Sequence, residues 1–446
     1  MGSGDFFEVF FSHLDLFLIL MFVFSSTLYF CVRGVAPAAY LDPIHFYYTF
    51  TFGTSYGIIV GLYSLGYISG YIFSVVMSYG VLFVMLLRLF VYLNRHKKFS
   101  IFRVFLVPRG EGSFQFFIVL LVYVFLLVFL WTQVGLGVSA ETNRFEQNRG
   151  FGAFVRVADG IRIFVLAYLT LVVYRRWLGE RKISLKSMGL IFFILVLIVV
   201  SSAINGAKFA MLEGLYSCFV AMAIFYKKPK FNIIYAACIF LLALVFAMFV
   251  LSSNLEKKGL DVDAAPSYMP GGDVLTERLV LRILSNADKY YLTLPGGVLD
   301  KLQTDDLWVR FVAPMVGTTR LSSMLGYNVN NYNVGRQALL YYDPNYEIAG
   351  GPTSHFDLFV YKYFGNYFGW MWVTFSAFMF AVFIVLSRQG CGDIYFCAIV
   401  TTLWLRSLPM LLEPTVGFAY VLDIFIIFTL IKLFCSVLPR KADAKT

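Results

Sequence analysis

The sequence predicts an all-α polytopic membrane protein with about eleven transmembrane helices and one large extracytoplasmic loop containing short helices. Three observations carry this. Hydrophobic residues make up 60% of the 446 and charged residues only 14%, where a soluble domain carries about a quarter charged residues. The apolar residues arrive in separate blocks of about 20, each long enough to cross about 30 Å of hydrocarbon. Lys and Arg gather in alternate connecting segments, as they do on the cytoplasmic side of a membrane. The formal charge of +10 follows from those segments and does not point to nucleic acid.

Apolar runs start near Leu14, Ile44, Gly70, Phe114, Val157, Met188, Phe209, Phe231, Phe356, Ile394 and Gly417. Basic residues follow the third run (Arg95, Lys97, Lys98, Arg103, Arg109), the fifth (Arg175, Arg176, Arg181, Lys182, Lys186) and the seventh (Lys227, Lys228, Lys230), and close the chain (Arg440, Lys441, Lys445). An even number of runs separates each cluster from the next, so all are expected in the cytoplasm. The segments 135–156 and 253–355 then fall outside, with the N-terminus. The chain divides into an N-terminal bundle of about eight spans, residues 1–252, the loop 253–355, and a C-terminal bundle of about three spans, residues 356–446.

The loop is too long to be an idle connector. Within it Leu275–Asp288 reads as an amphipathic helix, with Leu275, Leu279, Ile283 and Leu284 apolar and Arg278 and Arg282 on another face. Asn328–Asn333 and Asp343–Asn345 read as turns. The cysteines, Cys31, Cys218, Cys238, Cys391, Cys397 and Cys435, lie in or beside apolar runs and read as small buried hydrophobes, with neither a disulfide framework nor zinc-type spacing.

Cations on the outer side, where positive charge is disfavoured, are the candidate ligand contacts. Arg144, Arg149 and Arg156 sit at a membrane boundary. They suit a pyrophosphate or another anion, because Arg offers a planar fork of donors; they equally suit salt bridges to Glu141 and Glu146 or lipid headgroups. Lys208 opens a helix after the polar break Ser201–Gly206, which reads either as an anion site at a helix N-terminus or as snorkelling to headgroups. Arg278 and Arg282, four apart, share a helical face and fit a doubly charged ligand, unless Glu277 and Asp288 neutralise them. Arg320 and Arg336 are weaker candidates of the same kind. Asp261-Val262-Asp263 has a divalent-metal spacing but sits in a Gly/Ala/Pro loop, so no metal site is expected.

The most informative segment is Gly350-Gly351-Pro352-Thr353-Ser354-His355-Phe356-Asp357, which joins the loop to the ninth run. Its Gly/Pro turn places a Ser-His pair before a helix, at the expected outer surface. An imidazole titrates near neutral pH and serves as a base. Asp357 is a second candidate. On a helix it points away from His355, so the two are not expected to act as one dyad.

This segment resembles a pattern in bacterial oligosaccharide repeat-unit (O-antigen) polymerases and the related O-antigen ligases. There a small/Pro turn with Ser or His precedes a helix ending in an aromatic-Gly signature, here Phe364-Gly365-Asn366-Tyr367-Phe368-Gly369. The chain length, the span number and the outer loop before the final spans are similar too. Lys208 stands where the family's small-residue motif ends in Arg, and the Arg278/Arg282 helix resembles the arginine at the start of the family's outer loop. The resemblance implies a metal-independent, cofactor-free glycosyltransferase in the bacterial inner membrane, facing the periplasm. Its substrates would be undecaprenyl-pyrophosphate-linked oligosaccharides, and a chain-length regulator protein is a possible partner. His355 would be the base, with Asp357 beside it, and Arg144, Arg149, Lys208, Arg278, Arg282 and Arg320 would hold pyrophosphate or glycan. Two alternatives stay open: a ligase that transfers glycan to a lipid A core, and a flippase or other transporter. A transporter is expected to carry charges inside its spans. Here such residues are few, Arg88, Arg162, Glu213, Arg406 and Asp423, and no two related halves are visible in the sequence, which speaks against transport.

Overall fold

The computed structural model describes residues 1–107, 112–135, 150–180, 184–205, 208–226, 268, 274–346, 350–389 and 392–437. Among these residues the fold is all helical, with no strand. Among the described residues, eight helices are long and apolar enough to cross a membrane. The runs expected from Ile44 and Phe209 are helical too: a π-helical stretch, His45–Phe50, continues directly into the α-helix Thr51–Ser64, and the second run forms the helix Lys208–Tyr226. The run from Phe231 lies outside the described residues.

The helices, in order, are α1 (Ser3–Ser12), α2 (Leu14–Val32), α3 (Thr51–Ser64), α4 (Gly70–Asn94), α5 (Ser100–Leu106), α6 (Gly112–Val134), α7 (Gly152–Glu180), α8 (Leu185–Asn205) and α9 (Lys208–Tyr226). The loop then forms α10 (Val274–Leu284), α11 (Asp288–Thr293), α12 (Leu307–Val316), α13 (Thr318–Leu325) and α14 (Val334–Tyr342). The chain ends with α15 (Phe356–Arg388), α16 (Ile394–Ser407) and α17 (Pro414–Val437). The predicted amphipathic helix stops at Leu284, and a 3₁₀ turn, Ser285–Ala287, leads into α11.

Small residues let the spans approach. Gly53, Gly57 and Gly61 recur every fourth residue, so one face of α3 lacks side chains. A Cβ on them would meet Ser25, Met21 and Phe17 of α2 in turn, at 2.4–2.5 Å, so the two helices run antiparallel. Large apolar side chains point outward from the spans, Phe22, Phe125 and Phe192 among them, as a hydrocarbon solvent permits.

At one end of the bundle Arg388 donates to the Gly34 carbonyl, Gln389 to the Lys97 carbonyl and Lys432 to the Val104 carbonyl, and Arg103 pairs with Asp393 at 3.6 Å. The first basic segment therefore shares an end with the tail of α15. Elsewhere the loop helices are tied in: Phe6 of α1 stacks on Tyr291 of α11 at 4.0 Å, and Arg156 of α7 donates to the Pro314 carbonyl of α12.

α15 is not straight. Gly365 (φ 64°, ψ −173°) takes a conformation essentially reserved for glycine. The chain folds back there, so a Cβ on Gly369 would lie 2.7 Å from Val360. Nine residues of straight helix would span about 13.5 Å. Tyr79 of α4 closes the bend by donating to the Gly365 carbonyl at 3.0 Å. The two glycines of the aromatic-Gly signature thus have separate structural uses: one bends the backbone, the other admits Tyr79.

Candidate functional site

The Pro turn before α15 is held from two sides. A Cβ on Gly335, in the first turn of α14, would sit 1.9 Å from the Pro352 carbonyl oxygen, so only glycine fits there. Asn333 caps α14 by accepting from the Gly335 N–H, and its amide donates to Glu413 Oε1 at 2.8 Å. Glu413 also accepts from the Ser354 hydroxyl at 2.8 Å and the Ser354 N–H at 3.0 Å. Ser354 is therefore a structural anchor.

His355 follows with φ +52°, one of two non-glycine residues among those described with a positive φ. Such a conformation costs on the order of 1–3 kcal/mol and persists where surroundings over-determine it. Here the His355 N–H donates to the Leu412 carbonyl at 2.8 Å and the ring packs on Phe52 at 4.6 Å. The side chain is not at an outer surface as expected; it is buried, with 1% exposure. Lys289 Nζ lies 3.1 Å from its Nε2 and the Tyr290 hydroxyl 2.9 Å from its Nδ1. The same hydroxyl lies 2.7 Å from both carboxylate oxygens of Asp357, which also accepts from Tyr56 at 3.2 Å. His355 and Asp357 are thus linked after all, through Tyr290. The expectation that they diverge assumed helical geometry at both positions, and the positive φ puts His355 outside the helix. Burial pushes the His355 imidazole well below its ordinary value and the Lys289 charge adds to this. Burial also lowers the Lys289 ammonium, opposed by Asp288. The Tyr290 phenol is driven up by burial and by Asp357.

A second polar cluster lies among the spans. Arg162 of α7 pairs with Asp159 at 3.0 Å and with Glu213 of α9, and Arg406 of α16 approaches Glu213 at 3.6 Å. The Arg406 guanidinium lies 3.7 Å over the Tyr420 ring and donates to the Arg156 carbonyl. Arg156 in turn pairs with Asp423 of α17. A cavity of about 20 Å³, about the room of one water molecule, opens beside Asp159, Arg162, Tyr123 and Ser201. The spans therefore carry more ionisable residues than the apolar runs suggested. They pair because an uncompensated charge there is too costly to bury.

The remaining sequence candidates distribute differently. Arg278 is half-buried and Arg282 exposed on α10, which leads directly to Lys289 and Tyr290. Arg320 is exposed on α13. Arg156 pairs with Asp423, while Glu141 and Glu146 lie outside the described residues. Arg336 is buried and donates to the Gly350 and Tyr346 carbonyls at 2.8 and 2.6 Å, so it braces its own loop. Arg144, Arg149, Asp261, Asp263 and the Lys208 side chain lie outside the described residues, although α9 does begin at Lys208. Sequence reasoning missed Tyr56, Lys289, Tyr290 and Glu413. Only Lys289-Tyr290, a cation beside an aromatic just after the amphipathic helix, left a trace.

Comparisons of the chain with protein-family models, with curated proteins and with solved structures find no match.

Proposed function

We propose that the protein is a membrane glycosyltransferase that polymerises lipid-pyrophosphate-linked oligosaccharides at the outer face of the bacterial inner membrane, with about eleven spans. The observation that carries this is the buried His355–Tyr290–Asp357 arrangement, built where the loop joins α15. An acceptor hydroxyl attacks the donor's anomeric carbon, the carbon–oxygen bond to pyrophosphate breaks, and its electron pair leaves with the undecaprenyl pyrophosphate. His355 takes the hydroxyl proton. Burial keeps the imidazole neutral at physiological pH and therefore ready to accept one. Arg278 and Arg282, on the helix that precedes Lys289-Tyr290, are assigned to the leaving pyrophosphate, with Arg144, Arg149, Lys208 and Arg320 as further contacts. Access to His355 requires its flanking segments to part. Gly296-Gly297 and Gly350-Gly351, all at positive φ, flank Lys289-Tyr290 and His355 and supply the hinges.

The test is polymer formation in membranes supplied with undecaprenyl-pyrophosphate oligosaccharide. His355→Gln keeps a hydrogen bond but removes the base, and should cut the rate by about 10²–10⁴-fold while protein accumulates normally. Full-length polymer from this variant would end the assignment. A second reading, passage of lipid-linked oligosaccharide across the membrane, is favoured by the Asp159–Arg162–Glu213–Arg406 network inside the spans. Inactivating the gene separates the readings. Single-repeat capped glycans mean polymerase, uncapped cores mean ligase, and repeats trapped on the cytoplasmic side mean transporter.

A further inference from the structure

The geometry points to Lys289 and Tyr290 as positioning residues that lock His355 into its Nδ1–H tautomer through one directional chain, Lys289 to His355 to Tyr290 to Asp357. This rests on the reading of His355 as the base and adds the residues that set its state. The direction follows from counting donors. An ammonium has three N–H bonds and no lone pair. Lys289 Nζ has three acceptors in reach: the Asn286 carbonyl, Asp288 Oδ1 at 3.3 Å and His355 Nε2 at 3.1 Å. The first two only accept, so the third N–H is aimed at Nε2, which must offer its lone pair. In a neutral imidazole the proton then sits on Nδ1. That N–H donates to the Tyr290 oxygen, and the Tyr290 hydroxyl donates to the Asp357 carboxylate. Asp357 accepts again from Tyr56 and from the Leu358 N–H at 2.9 Å, so the chain ends on a fully engaged anion.

Among the described residues, charged and titratable groups face the site from every element packed on it, including Tyr48, which lies near Asp357 and Tyr290. Lys289, Tyr290 and Asp288 come from α11, Tyr56 from α3, Asp357 from α15, and Glu413 from the turn before α17. The tautomer matters for the reaction. The nitrogen left unprotonated, Nε2, is the one facing away from Tyr290, and it alone takes the acceptor's proton. Tyr290 and Asp357 then stand behind the positive ring, as a hydrogen-bonded anion does in other histidine-based sites. Lys289 holds Nε2 until the acceptor hydroxyl replaces it.

The state of the ring is readable without substrate. Protein labelled with ¹⁵N-histidine, in lipid nanodiscs at pH 7, has four histidines, and His355→Gln assigns the signal. The expected spectrum shows a protonated Nδ1 and an unprotonated Nε2 for His355. A protonated Nε2, or an imidazolium, overturns the chain in the wild-type protein, whatever any variant does. Tyr290→Phe removes the acceptor of the Nδ1–H and should shift the Nδ1 resonance, while Nε2 stays unprotonated because Lys289 still donates to it. Lys289→Met should raise its titration midpoint by about one pH unit or more, because a like charge has gone. An unchanged ring in both variants, with the His45 signal intact, also overturns the proposal. If the tautomer is as expected while His355→Gln still makes polymer, the positioning stands and the catalytic reading falls.

Discussion

At the scale of single residues, His355 couples the site to stability. Its folded-state pKa lies well below the ordinary value of 6.5 because the ring is buried beside Lys289. The unfolded chain therefore binds a proton near pH 6.5 that the folded protein refuses. Stability contributed by the neutral ring is complete above pH 6.5 and is lost as pH falls toward the folded value, with a slope of up to about 1.4 kcal/mol per pH unit. Thermal unfolding in detergent between pH 4.5 and 8 should show this loss as the difference between the wild type and His355→Asn, which share every other titrating group. In His355→Asn that part of the slope should vanish. Parallel pH curves for the two proteins would mean that the ring is not held neutral.

At the scale of elements, glycine spacing decides which helices touch. Gly57 of α3 lies where a Cβ would meet the Met21 backbone at 2.5 Å, while Gly189 of α8 faces open space. The same substitution should therefore act differently on the two helices. Gly57→Ala forces α2 and α3 apart and should destabilise by about 1–3 kcal/mol, the usual cost of overpacking. Gly189→Ala should be neutral or stabilising by about 0.5–1 kcal/mol, since alanine loses less backbone entropy in a helix. Melting temperatures of the two variants in one detergent provide the check. Equal losses would mean that the contact between α2 and α3 is not set by the glycine face.

At the scale of the whole molecule, buried ion pairs tie α7, α9, α16 and α17 together through Arg162, Glu213, Arg406, Arg156 and Asp423. Removing one member leaves its partners charged in a poorly solvated place. Arg162→Met should cost about 3–5 kcal/mol, the loss typical of breaking a buried pair. Adding Glu213→Gln should recover part of that, because the stranded carboxylate is gone. A double variant no more stable than Arg162→Met would show that Glu213 finds its compensation from Arg406 alone. If the network forms a transport route instead of a brace, Glu213→Gln should abolish movement of lipid-linked glycan while the melting temperature holds.

The sequence by itself determined the class of molecule. Hydrophobic blocks of about 20 residues and their alternating basic flanks are local signals, and lipid acts on them directly. The Gly/Pro turn before α15 and the helix at 274–284 were legible for the same reason. Only the tertiary structure decided what surrounds His355. Its partners lie 65 and 66 residues away in sequence, and Tyr56 is 301 residues from Asp357. No periodicity reports such distances. They arise because a buried polar group must find a partner or pay its desolvation, and the partner is whichever side chain the packed helices bring near. The same requirement turned Arg156 and Arg336 from expected ligand contacts into internal braces. Arg282 and Arg320, by contrast, are exposed.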